Sequence, residues 1–145
     1  MRDLKEDRSV IAYIILGALT FGLYDIWYLH NLTKDVNELC RESGKKIPNV
    51  LVLLVLGILT FGLYGIFWWF KLADMLSEAA KKRNINESIS GGYIIGCFVI
   101  SYFICGIGSW LAIHKVFKVT NTLAEDYNLE LRRKKYYEHL ENSEA

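Results

Sequence analysis

Charge is almost missing from three long stretches of this 145-residue chain, 9–29, 49–70 and 91–113, in which Asp25 is the one ionised side chain. Each runs 21 to 23 residues, and about 20 apolar residues suffice to cross a bilayer core of roughly 30 Å as one helix. A helix of that length in an aqueous protein keeps a polar face, so the distribution predicts helices in a membrane. Cysteine is scarce as well. Cys40, Cys97 and Cys105 are too few and too scattered for a disulfide framework, and the last two lie in an apolar run, where cysteine acts as a small hydrophobe. Net charge is close to nil, at +1, which leaves no bulk electrostatic case for binding nucleic acid. A phosphate-binding loop, a nucleophile elbow and a zinc-protease motif are also missing. With no residue to assign as base or nucleophile, neither an enzymatic activity nor a cofactor is expected.

What the chain has in abundance is itself. Residues 16–26 read Leu-Gly-Ala-Leu-Thr-Phe-Gly-Leu-Tyr-Asp-Ile, and residues 56–66 repeat them with only Ala18/Ile58 and Asp25/Gly65 changed. An internal duplication with a period of forty follows. Large aromatics come next in both copies, Trp27 and Tyr28 in one and Phe67, Trp68, Trp69 and Phe70 in the other, residues that favour a bilayer–water boundary. Beyond them Leu29, Leu32, Val36 and Leu39 fall at helical spacing, with Lys34, Asp35, Glu38 and Arg41 among the polar positions between. A shift of 84 finds a degraded third copy, in which Gly22 lands on Gly106, His30 on His114 and Asn37 on Asn121. The expected organisation is an arm (1–8), three membrane repeats (9–48, 49–90 and 91–128) and a charged helical tail (129–145). The first apolar run is too long for a signal h-region and lacks a small-x-small cleavage site, so it is expected to be retained.

Two topologies compete. Three single passes would alternate the positive-inside signal, yet Lys and Arg number three in the arm, four after run one, four after run two and six in the C-terminal part. The even spread favours hairpins that turn at Thr20-Phe21-Gly22, at Thr60-Phe61-Gly62 and near Gly106. Ten residues on the upstream limb rise only about 15 Å, and such a turn needs neighbours or the threonine hydroxyl to satisfy the freed backbone groups.

Candidate sites are few. Asp25 is an acid inside an apolar run and so a functional candidate, with Tyr24 and Tyr64 as companions; the bland reading is an interfacial side chain that reaches water, since the repeat equivalents are Gly65 and Ser109. His30, His114, Cys97 and Cys105 are metal-ligand types, but no ligand spacing supports them, and no metal is expected. Gly92, Gly96 and Ser101 give the third run a small-residue face of the kind used in helix packing. Arg132, Arg133, Lys134 and Lys135 are candidates for lipid headgroup contacts, weighed against a solvated helix end neutralised by Glu130, Glu138 and Glu141.

The segment 19–26, Leu-Thr-Phe-Gly-Leu-Tyr-Asp-Ile, followed by aromatics and then by Leu-Thr-Lys-Asp-Val-Asn-Glu-Leu at 32–39, resembles the prokaryotic membrane family called domain of unknown function 4234. The resemblance implies an integral membrane protein of a bacterium or archaeon and supplies no activity. The expectation is therefore an all-α integral membrane protein, three helical membrane segments or hairpins each followed by an amphipathic helix, placed in the inner (cytoplasmic) membrane as a multi-pass or re-entrant chain. Its partners would be the lipid bilayer and further copies of itself, and its role non-enzymatic, organising or shaping the membrane. A small oligomeric channel or transporter and an accessory subunit of a larger complex are the alternatives.

Overall fold

Thr20-Phe21-Gly22 and Thr60-Phe61-Gly62 reverse the chain, and that reversal decides the architecture. In the computed structural model, which describes residues 3–104 and 106–144, the helices are α1 (Val10–Leu19), α2 (Leu23–Leu39), α3 (Val50–Leu59), α4 (Leu63–Lys82), α5 (Gly91–Phe103) and α6 (Ile107–Glu144), with one short 3₁₀ turn at Arg41–Ser43. They pair as three antiparallel hairpins. Tyr13 of α1 meets Tyr28 of α2 with ring centroids 5.1 Å apart, and nearer the turn Gly17 lies against Asp25. In the third hairpin Ser101 and Ser109 bond at 2.8 Å close to the turn. Glu87, farther back, pairs with Lys115 and Lys118.

The second helices of the hairpins form the centre. Leu32, Leu72 and Val116 are buried together with Val36, Leu76 and Thr120, and with Leu39, Ala79 and Leu123. Each set is related by the sequence shifts of 40 and 84, so one layer of the core comes from one repeat position. Tyr28 touches Phe117 at one end of the bundle, while Glu38 bonds Tyr127 and Cys40 reaches the Met75 carbonyl at the other. The three helices therefore run in the same direction. The first helices fill the gaps between them: α1 between α2 and α6, α3 between α4 and α2, and α5 between α6 and α4. The result is a closed ring with pseudo-threefold symmetry.

Asparagines close that ring. The Asn37 amide bonds both backbone groups of Ile47, at 2.8 and 3.2 Å, just before α3. Its repeat equivalent Asn121 does the same to Arg8 before α1, at 3.0 and 3.1 Å. Two turns along, Asn128 clasps Leu4 at 2.9 and 2.8 Å. An amide side chain offers one donor and one acceptor in the spacing of a peptide unit, so each clasp satisfies extended backbone that has no strand partner.

The expectation of three membrane-crossing segments is corrected here. Among the described residues no helix is long and apolar enough to cross a membrane. Each charge-free run is folded at its glycine turn into a first limb of 10 to 13 residues and the start of a second helix, and that second helix soon turns polar and joins the bundle. The description of a transmembrane, integral membrane chain and its multi-pass placement in the inner membrane lose their basis for the same reason.

Close packing at the third hairpin gives a direct test. A Cβ at Gly108 would sit 2.1 Å from the Cys97 carbonyl oxygen and 2.9 Å from the Ser101 nitrogen, both backbone atoms. Gly108→Ala is expected to cost about 1–3 kcal/mol by overpacking, measured as the shift in urea-unfolding midpoint at constant slope. Gly96→Ala, which meets nothing within 4 Å, serves as the near-neutral control.

Candidate functional site

The turns that make the hairpins also make the most unusual surface of the molecule. At Thr20 the helix ends in a Schellman arrangement: Gly22 N–H reaches back to the Gly17 carbonyl at 2.8 Å and Phe21 N–H to that of Ala18 at 3.4 Å. The position that glycine normally takes in this motif is occupied by Phe21, at φ +51°, with Gly22 following at φ +86°. Phe61 and Gly62 repeat this with φ +51° and +88°. A bulky residue in the left-handed region is strained by about 1–2 kcal/mol. In both copies the strained residue is also an aromatic exposed at the apex, 98% for Phe21 and 99% for Phe61. Neither packing nor backbone preference explains that choice.

The threonines make the turns self-sufficient. Thr20 Oγ1 donates to the Leu16 carbonyl at 2.7 Å and accepts from Tyr24 N–H at 3.0 Å. Thr60 does the same with Leu56 and Tyr64, at 2.6 and 2.9 Å. One hydroxyl thus serves the end of one helix and the start of the next, where water would otherwise be needed. The third turn has Ile104 in place of threonine, keeps Gly106 at φ +88° and keeps the Gly106 N–H bond to the Ser101 carbonyl.

Because the central helices are parallel, all three turns lie at one end of the bundle. Around Phe21 and Phe61 stand Leu19, Leu23, Ile58, Leu59 and Leu63, and on the third hairpin Tyr102, Phe103 and Ile107, all exposed. Monomeric proteins rarely expose contiguous apolar patches larger than a few hundred Å². Behind this apolar cap comes a belt of aromatics: Tyr24 tilted against Trp27 with ring centroids 5.6 Å apart, Tyr64 likewise against Phe67 at 6.0 Å, and exposed Trp110. Behind the belt begin the charged residues. The layering is apolar, then aromatic, then charged.

Asp25 is the exception within the cap. Its Oδ1 is buried against Gly17 without a hydrogen-bond partner among the described residues, and burial raises its pKa above the ordinary aspartate value. A raised acid favours the folded state when neutral, so its contribution is fully present below the unfolded value near 3.9 and is lost as pH rises through the folded value. Asp25→Asn is therefore expected to flatten that part of the stability–pH profile and to unfold later than the parent chain at pH 7.5. Urea titrations at several pH values check this.

The other sequence candidates are placed as follows. Tyr24 and Tyr64 each pack within their own hairpin. Gly96 has open space where a side chain would stand and Gly92 only Ser90 Oγ at 3.9 Å, whereas Gly91 lies against Phe70 and Gly108 against Cys97, and Ser101 bonds Ser109 and the Cys97 carbonyl. His30 Nδ1 lies 3.3 Å from Asn49 Oδ1, Cys97 is buried and free, and Cys105 lies outside the described residues. Among the described residues no three His, Cys, Asp or Glu side chains gather where a metal could be held. Arg132 pairs with Glu6 at 3.7 Å. Arg133, Lys134 and Lys135 are exposed on the part of α6 that runs away from the turns.

Sequence reasoning missed the arm. Leu4 is buried, and Arg8 forms a buried ion pair with Asp35 while also bonding the Lys5 carbonyl and Asn121. The available signal was the recurrence of asparagine at 37 and 121, which clasp the lead-ins to α3 and to α1.

The family described as Domain of unknown function (DUF4234) matches the chain twice, over residues 8–54 and 48–122. No curated protein and no solved structure matches.

Proposed function

The chain belongs to the family described as Domain of unknown function (DUF4234), and from that premise we propose that it is a non-enzymatic lipid-binding module that sinks its three hairpin turns into one leaflet of a bilayer. The observation that carries this reading is the pair of apical phenylalanines, fully exposed in a strained backbone position that glycine would hold at lower cost. Three further features support it. The first limbs of α1 and α3, at 10 residues each, rise about 15 Å, or half of a roughly 30 Å hydrocarbon core. The turns satisfy their own backbone groups through Thr20 and Thr60, as burial in lipid requires. Tyr and Trp then stand where the headgroups would begin.

The energetics are sufficient. Burying the exposed apical Leu, Ile and Phe side chains at roughly 1.5–3 kcal/mol each totals about 13–27 kcal/mol, against an association cost of about 4–15 kcal/mol. Three wedges entering from one side add area to one leaflet only, which makes bending of the bilayer a consequence of binding.

The test is co-flotation of the full chain with phosphatidylcholine vesicles in a density gradient. The proposal expects the protein in the floating fraction, retained in high salt because the contact is apolar. Protein that stays at the bottom as a defined oligomer with shielded turns would contradict it, and would assign the cap to contacts between copies instead.

A further inference from the structure

Beneath the aromatic belt of the first hairpin lies a cleft of about 250 Å³ between the N-terminal arm and α2. Its floor is the buried Arg8–Asp35 pair, in which the two charges answer each other and the guanidinium is already engaged by Lys5 O and Asn121 Oδ1. The groups left to act on a ligand are at the rim. Lys5 is loosely held, 3.9 Å from exposed Asp7 and 5.9 Å above the Tyr28 ring. Asp3 stands on the same arm, and Asn31 spends its amide nitrogen on the Trp27 carbonyl, leaving its oxygen to accept.

The wall of the cleft holds an orphan. Tyr28 is 5% exposed, and its hydroxyl has no partner among the described residues. Its phenol interacts with Arg8, Asp7 and Asp35, the charges on the arm side, and burial pushes its pKa up to about 12, so it is a protonated donor lacking an acceptor. A buried unsatisfied hydroxyl is uncommon and calls for an explanation. The repeats show that it is not a property of the scaffold. The equivalent Trp68 donates its Nε1–H to the Pro48 carbonyl at 3.2 Å, and the third equivalent is Ala112.

We infer that this cleft binds a zwitterionic phosphate ester bearing a primary ammonium, a headgroup of the phosphoethanolamine type. The phosphate accepts from Tyr28 Oη–H and Lys5 Nζ, and the ammonium donates to Asp3 and Asn31 beside the exposed Trp27 indole, a surface suited to a cation. One available cation and one available anion over a self-neutralised floor match a ligand of zero net charge and large dipole. The assignment of that headgroup to a lipid rests on the leaflet reading, because the cleft sits at the base of the first hairpin, where the headgroups would lie.

The experiment compares binding of the full chain to vesicles of phosphatidylcholine alone, with added phosphatidylethanolamine, and with added phosphatidylglycerol, alongside calorimetry with water-soluble glycerophosphoethanolamine. Phosphatidylethanolamine is expected to raise affinity about tenfold over the other two mixtures, the scale of one or two hydrogen bonds to a charged group. Asp3→Ala is expected to abolish that preference while keeping binding to phosphatidylcholine, because the ammonium contacts are what phosphatidylcholine lacks, and Tyr28→Phe and Lys5→Gln, which remove contacts to the shared phosphate, are expected to lower the calorimetric affinity for glycerophosphoethanolamine about tenfold. A parent chain without the preference, Asp3→Ala retaining it, or Tyr28→Phe leaving the calorimetric affinity unchanged overturns the inference; retention in Asp3→Ala would trace the preference to bilayer packing. Failure to bind any vesicle with calorimetric binding of the free headgroup intact overturns the leaflet reading and leaves the cleft standing.

Discussion

Phe21→Asp combined with Phe61→Asp is expected to weaken vesicle binding by about 10²–10⁴-fold, since each apical ring contributes roughly 1.5–3 kcal/mol on burial and the new carboxylates resist entry into lipid. The same double variant is expected to fold as well as the parent chain in water, because both side chains are almost fully exposed and φ +51° is no worse for aspartate than for phenylalanine. The separation is the point. A structural role for the phenylalanines predicts lost stability; the leaflet role predicts lost binding at unchanged urea midpoint. Vesicle titration and urea unfolding on one preparation distinguish the two, and unaltered vesicle affinity in the double variant would remove the turns from the binding account.

Asp35→Leu carries the largest expected effect on stability. The Arg8 and Asp35 side chains are 2% and 6% exposed, and stripping a buried guanidinium of its counter-charge costs about 3–5 kcal/mol. The double variant Arg8→Met/Asp35→Leu is expected to recover most of that loss, since well-packed apolar replacement of a buried pair is often neutral. A double-mutant cycle read by urea unfolding measures the coupling. A loss below about 1 kcal/mol for Asp35→Leu would mean that water reaches the guanidinium.

These two predictions fall on different sides of what the sequence discloses. The turns are readable at the residue level because Thr-Phe-Gly combines a hydroxyl that bridges two helix ends with a glycine suited to positive φ, and because the chain states it twice. The buried stripe of Leu32, Val36 and Leu39 is readable from its spacing, and the shifts of 40 and 84 assemble it into layers with Leu72, Leu76 and Ala79 and with Val116, Thr120 and Leu123. The extent of the apolar runs misleads. Hydropathy adds residues on both sides of a turn as though they were one helix, so 21 to 23 charge-free residues read as a crossing when they are folded back on themselves.

Asp35 was not legible as a buried residue for a related reason. Along the chain it lies among Lys34, Glu38 and Arg41, and helical periodicity places it with the polar positions. It is the arm, arriving from residues 4–8 and fixed by asparagines 121 and 128 on α6, that covers it. No local pattern reports a contact that spans more than a hundred residues. Tyr28 escaped in the same way: its place in the aromatic run suggests a boundary residue, and it takes Tyr13 of α1, Phe117 of α6 and the arm together to bury its phenol beside a cleft.

On the leaflet proposal the three turns enter one leaflet from the same side while the bundle stays outside. Spin labels placed singly by Phe21→Cys, Phe61→Cys and, as an aqueous control, Tyr136→Cys in a cysteine-free background report depth through their relative accessibility to oxygen and to a water-soluble nickel complex. On vesicles, the labels at 21 and 61 are expected at equal depth, about 10–15 Å beyond the level of Ser9 and Asn31 as the limb length dictates, with the label at 136 in water. Labels at 21 and 61 that remain accessible to nickel on vesicle-bound protein, or that lie at unequal depths, would contradict the account.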